Sequence, residues 1–475
     1  PTPDNFSAHA GDAEIGVIWS AVTTDGMSGY NLYRSDGSGL YIKVNGNVPI
    51  TQSYYLDALV VNDNAYRYKV AAIDIDGNES IQSASVTATP AADNAGPTPV
   101  DGGLIDTNTV WLSSKSPYQI SAPTKVKEGA KLLMLPGTSV EFVAAGQYLL
   151  VDGQLEAQGT ETKPVVITAF NFDPNDFYNT SSGSIRFSTI ADRKHVFNHS
   201  VLNAVEIQKS AGFVSVENTA VHHWAGNFRV SQIKNSTVKL HGTIYATNLE
   251  SVDIQGIGKD GIALLTGREG FLYDFQATIV GSQLSNINAF VTSINSTDIS
   301  DSSIYTNALS ESVVANSDVS PQENLSDTQV TQNTFVNSKI RATGRLYMRL
   351  NRLDALSTVS ASQLDISHNW WGTVDLVDIR ARTDYSAEPS LNTHLYPIIS
   401  SNDIYVADND GDGLFDYLDY DNDNDGYSDL QEDWESSFLF GSVYNPLDPT
   451  SKPATVKDND MDTFSDADDI DDDND

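Results

Sequence analysis

The sequence predicts an all-β chain: an N-terminal β-sandwich, a central right-handed parallel β-helix, and a C-terminal array of acidic loops with little regular structure. Three observations carry this expectation. The first ninety residues alternate apolar and polar positions between closely spaced turns, the next three hundred repeat short aliphatic runs, and the last seventy set aspartates at fixed offsets. A chain of 475 residues with 40% hydrophobic content is long enough for several modules, each with its own core.

In the first module Ile15, Val17 and Trp19 alternate, Tyr30, Leu32 and Arg34 follow a Gly-containing turn, and Tyr66, Tyr68, Val70 and Ala72 alternate again. Short strands with a turn signal about every ten residues describe a small β-sandwich. Trp19, the run Tyr30-Asn31-Leu32-Tyr33-Arg34, the pair Leu56-Asp57, and Tyr66-Arg67-Tyr68-Lys69-Val70 leading to Asp74 and Gly77-Asn78-Glu79-Ser80 resemble a bacterial fibronectin type III domain. That resemblance implies that Trp19 packs between the sheets, that Tyr66 closes a corner, and that the module is a spacer or adhesion unit in an extracellular protein. The module is assigned to residues 1–92, and 93–100, within a stretch rich in Ala, Asp, Gly and Pro, to a linker.

Residues 101–400 form the second module. Leu132-Leu133-Met134-Leu135, Val140, Phe142, Leu149, Val151, Leu155 and Val165-Val166-Ile167 alternate with polar residues in units of roughly 20 to 30, the length of one solenoid coil. Two-residue hairpin signals are scarce, whereas Asn and Ser recur where a coil would turn a corner, as at Ser236, Asn316-Ser317 and Asn337-Ser338. A parallel β-helix satisfies this pattern. Gly159-Thr160, Pro164-Val165-Val166-Ile167-Thr168 and His368-Asn369-Trp370-Trp371-Gly372 look like secreted bacterial members of the pectate-lyase-like β-helix superfamily. The resemblance implies that Trp370 and Trp371 cap the last coils, the alternative being that they stack on a sugar.

From Val406 onward 23 Asp and Glu face 2 Lys, a net of −21 in a chain whose total is −37. Asp408, Asp410, Asp412, Asp416 and Asp419 occupy positions 1, 3, 5, 9 and 12 of a loop with Gly413 at position 6, and Asp421, Asp423, Asp425, Asp429 and Glu432 repeat those offsets around Gly426. A third loop holds Asp458, Asp460, Asp462, Asp466 and Asp469, with Thr463 in place of the glycine. A calcium ion takes six to eight oxygens, and alternate carboxylates in a tight loop supply them, with a backbone carbonyl at position 7 from Leu414, Tyr427 and Phe464. One residue, Tyr420, separates the first two loops, which leaves no room for EF-hand helices. The array resembles thrombospondin type 3 repeats and is assigned to residues 401–475. Asp471, Asp473 and Asp475 read as the opening of a further loop, so the array is expected to continue.

The charge balance repels nucleic acid, no apolar run approaches the ~18 residues of a bilayer-spanning helix, and the absence of cysteine excludes thiolate chemistry. Catalysis on a β-helix draws on carboxylates with a histidine, or on a basic group that removes a proton. The candidates are Asp192-Arg193-Lys194-His195, His222-His223-Trp224, and Lys339, Arg341, Arg345, Arg349 and Arg352, the last group following 70 residues, Glu269 to Ser338, that hold 8 acids and no Lys or Arg. No catalytic set assembles from these in sequence, and charge balance between coils accounts for the basic run. The expected protein is an extracellular or cell-surface bacterial scaffold that binds calcium and uses the β-helix as its interaction surface for a polysaccharide or another surface protein. A polysaccharide lyase or hydrolase acting on an acidic glycan is the alternative, and a self-assembling fibre subunit the second.

Overall fold

The computed structural model describes residues 1–173 without a break, most of 183–383 apart from 257–269 and short stretches at turns, and beyond that only 393–394, 410, 423 and 448–451. The chain divides into two compact units, the first comprising Pro1–Ala246 and the second opening at Thr247.

The first unit begins with seven strands, β1 (Ser7–Ala10), β2 (Ile15–Ile18), β3 (Met27–Ser35), β4 (Ile42–Lys43), β5 (Tyr54–Asp57), β6 (Tyr66–Asp74) and β7 (Val86–Ala88). They form two antiparallel sheets, β1-β2-β5 and β4-β3-β6-β7. Trp19 is fully buried between them, edge-on to Tyr30 at 5.2 Å and to Phe6 at 6.1 Å. The Tyr66 hydroxyl accepts a hydrogen bond from the Val61 amide at 3.0 Å and so ties down the corner. Asp57 is buried and is met by the Arg34 guanidinium at 2.8 Å and the Tyr68 hydroxyl at 2.9 Å, the paired state a buried carboxylate requires.

All four residues of β2 are buried, although a sandwich strand ordinarily buries every second one. Ile15 and Val17 fill the sandwich core, while Ile18, with Tyr54 and Leu56 of β5, packs outward against Val110, Leu112, Leu133 and Leu135. Those partners belong to β9 (Thr109–Trp111), which follows β8 (Thr98–Ile105), to β11 (Lys131–Met134), which follows β10 (Tyr118–Val126), and to the turns after them. The sandwich is thus docked sideways on the first two coils of the β-helix. Gly16 permits the approach, because a Cβ there would lie 2.8 Å from Val110 Cγ1. Around this apolar contact the Glu14 carboxylate accepts from the Ser114 amide at 2.9 Å, and Ser7 Oγ and His9 Nε2 donate to the Asn108 carbonyl at 2.7 and 3.0 Å.

From β8 onward each strand pairs in parallel with a strand of the next coil, and three columns of buried side chains run through the unit. One is Tyr118, Val140, Ile167, Leu202, Val221 and Val238; the second Thr124, Leu149, Ile185, Ile207, Phe228 and Ile244; the third Trp111, Met134, Ala157, Phe197, Val216 and Ile233. Strands alternate their side chains with period two, so stacking these columns buries every second residue of each coil. This is the all-β parallel solenoid the sequence predicts.

The second unit repeats the principle with Leu284, Ile299, Val314, Phe335 and Leu353 in one buried column and Ile294, Leu309, Val330 and Met348 in another. Its corners carry buried polar ladders. The Asn333 amide donates to Asn351 Oδ1 at 2.9 Å and the Asn351 amide to Asn369 Oδ1 at 3.0 Å, while Ser302, Ser317, Ser338 and Ser357 hand amide-to-hydroxyl bonds from coil to coil. Each corner amide withdrawn from water thereby finds an acceptor in the next coil. Trp371 is fully buried beneath the Arg382 guanidinium, 5.4 Å from its ring, at the short helix Leu376–Arg382. Its ring is core and offers no face to a sugar.

Candidate functional site

One face of the first unit presents an unbroken outward column, each member one residue beyond a member of the first buried column: Gln119, Glu141, Thr168, Asn203, His222 and Lys239. Successive coils bring them within reach across ~4.8 Å steps, although 17 to 35 residues separate neighbours in sequence from Thr168 onward. Asn203 Nδ2 donates to Thr168 Oγ1 at 3.2 Å, and Asn203 Oδ1 lies 2.9 Å from His222 Nδ1. An oxygen acceptor at that nitrogen places the ring proton on Nδ1 and leaves the Nε2 lone pair available. Burial, reinforced by the neighbouring Lys239 charge, holds the His222 imidazole below its ordinary value of 6.5. At neutral pH the ring is uncharged. Phe172 lies parallel to it, 6.3 Å between centroids and 8° between planes, and is itself only half-buried.

The adjoining face adds a second polar and aromatic element. Arg186 lies 4.1 Å over the Tyr148 ring and its Nε donates to Ser184 Oγ at 3.0 Å, so its guanidinium is held in place on the surface. Together the two faces offer hydrogen-bonding groups interleaved with aromatic rings along the coil axis. Such a surface suits a polymer with hydroxyl edges and apolar faces.

The other candidates are distributed differently. Asp192 and Arg193 lie outside the described residues; Lys194 is exposed; His195 is buried in the interior, where its Nδ1 accepts from the Leu155 amide at 3.2 Å and its ring sits 4.2 Å from Phe187. Trp224 lies outside the described residues. Lys339 and Arg341 occupy one strand, Arg345 and Arg349 another and Arg352 a third, so the basic run is spread around the coil. Two of its members stand opposite acids in register, Lys339 beside Asp318 and Arg345 beside Asp327. Of the calcium-loop residues only Asp410 and Asp423 are described; Asp423 is 5% exposed. Among the described residues no cluster of three or more His, Asp or Glu forms a metal site, and no helix is long and apolar enough to cross a membrane.

Known proteins resemble the chain in parts. Residues 103–178 match the family described as pectate-lyase like beta helix domain. That match covers the first coils of the solenoid. An amylopullulanase of Thermoanaerobacter thermohydrosulfuricus is 37% identical over 119 residues, 25% of this chain but 8% of the relative, so the chain spans less than a tenth of that protein's length. A Fn3-like protein from Clostridium thermocellum is 28% identical, with 18% of this chain and 90% of that one covered at a TM-score of 0.17. A pectate lyase from Pectobacterium carotovorum is 11% identical over 54% of this chain and 86% of its own, at a TM-score of 0.20.

The residues that sequence reasoning missed are Thr168, Asn203, Lys239 and Phe172. Only the coil register brings them to His222.

Proposed function

We propose that this chain is an extracellular bacterial polysaccharide-binding protein, with the Thr168-Asn203-His222 column as its glycan contact and the C-terminal aspartate loops as calcium sites. The observation that carries the reading is that hydrogen-bonded column with Phe172 beside it. Its amide, hydroxyl and imidazole groups match sugar hydroxyls, and the half-buried ring matches the apolar face of a pyranose. An amylopullulanase among the similar proteins agrees with a carbohydrate partner. Asp408, Asp410, Asp412, Asp416 and Asp419, with their counterparts in the next loops, would hold calcium through carboxylate oxygens.

Electrophoresis through gels carrying immobilised polysaccharides tests the glycan reading. We expect the wild type to be retarded and the Phe172→Ala and His222→Ala variants to lose about tenfold in apparent affinity, ~1.4 kcal/mol. Retardation that both variants retain in full would overturn the assignment.

The state of His222 favours a second reading, β-elimination on a uronate chain. Nε2, uncharged at neutral pH, would take the proton from the carbon beside the sugar carboxylate. The electron pair forms a carbon–carbon double bond, the bond to the glycosidic oxygen breaks, and that oxygen takes a proton from water, while Lys239 offsets the carboxylate charge. Growth of ultraviolet absorbance on polygalacturonate with calcium, abolished in His222→Ala, is the expected result; no absorbance change over a panel of uronate polymers would sink it.

A further inference from the structure

Residues 1–92 hold 10 Asp and Glu against 4 Lys and Arg. Arg34 is taken up by buried Asp57, at 2.8 Å. The other three cations, Lys43, Arg67 and Lys69, share one face. Tyr30 and Leu32 of β3 and Tyr66, Tyr68 and Val70 of β6 fill the sandwich core, so the alternate positions Tyr33, Arg67 and Lys69 lie on the outer side of the sheet β4-β3-β6-β7. Tyr33 stands opposite Lys43 of β4 and Lys69 of β6, which sets the two lysines about 10 Å apart across two strand spacings. Lys43 and Arg67 are exposed, and Tyr33, Tyr41 and Lys69 are half-buried. Lys69 Nζ lies 4.7 Å over the Tyr41 ring, a contact that holds the ammonium on this face. The carboxylate of Glu79 reaches the same face, but its oxygens accept from the Tyr33 hydroxyl at 2.7 and 2.8 Å and from the Asn31 amide. Among the described residues none of the three cations forms an ion pair.

A chain of net charge −37 repels polyanions wherever cations do not gather locally. On this sheet they gather, with a tyrosine ring between them. Rings interleaved with cations suit a ligand that carries both carboxylates and apolar faces, which an acidic sugar does and an aspartate-rich peptide does not. The span between Lys43 and Lys69 is also about that of two sugar units in an extended chain. We propose that the outer face of the four-stranded sheet binds an acidic polysaccharide, its carboxylates meeting Lys43, Arg67 and Lys69 and a sugar ring lying over Tyr33. This goes beyond the His222 reading and does not rest on it, since it gives the sandwich a ligand site of its own.

The test uses the full chain carrying Phe172→Ala and His222→Ala, which takes the other surface out of the comparison, in gels with alginate or polygalacturonate and no added calcium. Galactomannan is the neutral control. Expected is retardation by the acidic polymers alone, weakened by added salt because the charges are exposed. Adding Lys43→Gln, Arg67→Gln and Lys69→Gln together should lower the apparent affinity about tenfold with unchanged melting, whereas Lys43→Arg, Arg67→Lys and Lys69→Arg together should keep it. Lys43→Gln alone should lose part of the retardation, which keeps the proposal testable should the triple variant fail to fold. Tyr41→Ala should lower affinity about threefold by releasing Lys69, and Tyr41→Phe, which keeps the ring, should not. The proposal is overturned if neither acidic polymer retards the chain, if the folded Gln variant is retarded as its parent is, or if galactomannan retards equally. Self-association that the Gln variant abolishes, with no retardation by either acidic polymer, would assign the face to the aspartate loops of a second copy and overturn it as well.

Discussion

Gly16 and Asn351 each occupy a position with one chemical solution. A side chain at Gly16 would meet Val110 Cγ1 at 2.8 Å and Leu112 Cδ2 at 2.9 Å, so Gly16→Val must push the sandwich off the coils or distort both. We expect it to cost about 1 to 3 kcal/mol, the range for overpacking a close contact, measured by denaturant unfolding of the first unit. Asn351 uses both ends of its amide: Oδ1 accepts from the Asn333 backbone and side-chain amides, and Nδ2 donates to Asn369 Oδ1 at 2.8 Å and to the Val330 carbonyl at 2.9 Å. Asn351→Ala leaves these buried partners unmatched. Its expected cost is about 2 to 4 kcal/mol, larger than for Ser338→Ala, where one hydroxyl is lost.

At the scale of elements, the docking of β1 and β2 on β9 has a built-in response to acid. His9 is half-buried in that contact, its Nε2 donating to the Asn108 carbonyl, and its partial withdrawal from water holds it below its ordinary 6.5 with Lys115 acting in the same direction. A histidine whose folded value is depressed leaves stability intact above 6.5 and loses it as pH falls from 6.5 toward the folded value, because the unfolded chain then binds the proton more readily. Melting of the first unit should therefore drop between about pH 7 and about pH 5. His9→Gln, which preserves a donor without the charge, should flatten that drop. His222 contributes with the same sign, so the difference between wild type and His9→Gln is the informative quantity. The first rung shows a second element-level device. β8 pairs, among the described residues, with β10 alone, and it carries Pro99, Asp101 and the positive-φ glycines Gly102 and Gly103. Such residues spoil a strand as a template for another chain, which weighs against fibre growth from that edge.

Across the whole molecule charge dominates, with more than half of the net −37 in the last seventy residues. If the aspartate loops hold calcium, chelation should raise the radius of gyration in small-angle scattering and open residues 401–475 to proteolysis, while the strand signal of the sandwich and coils persists. An unchanged radius and an unchanged digestion pattern in chelator would remove calcium from the account.

The sequence by itself determined the class of the sandwich and of the parallel β-helix, because period-two alternation and recurring corner Asn and Ser are local properties that each coil must satisfy alone. It also placed Trp19 and Tyr66 correctly in the core. Tertiary structure alone decided which outward residues meet, since partners such as Asn203 and His222 are neighbours only through coil register, and register depends on the length of every intervening turn. It likewise decided that Ile18 is buried and His195 interior: an apolar residue on the outer side of a strand announces a partner surface without saying which, and a histidine gives no sign in sequence of the side of the coil it faces.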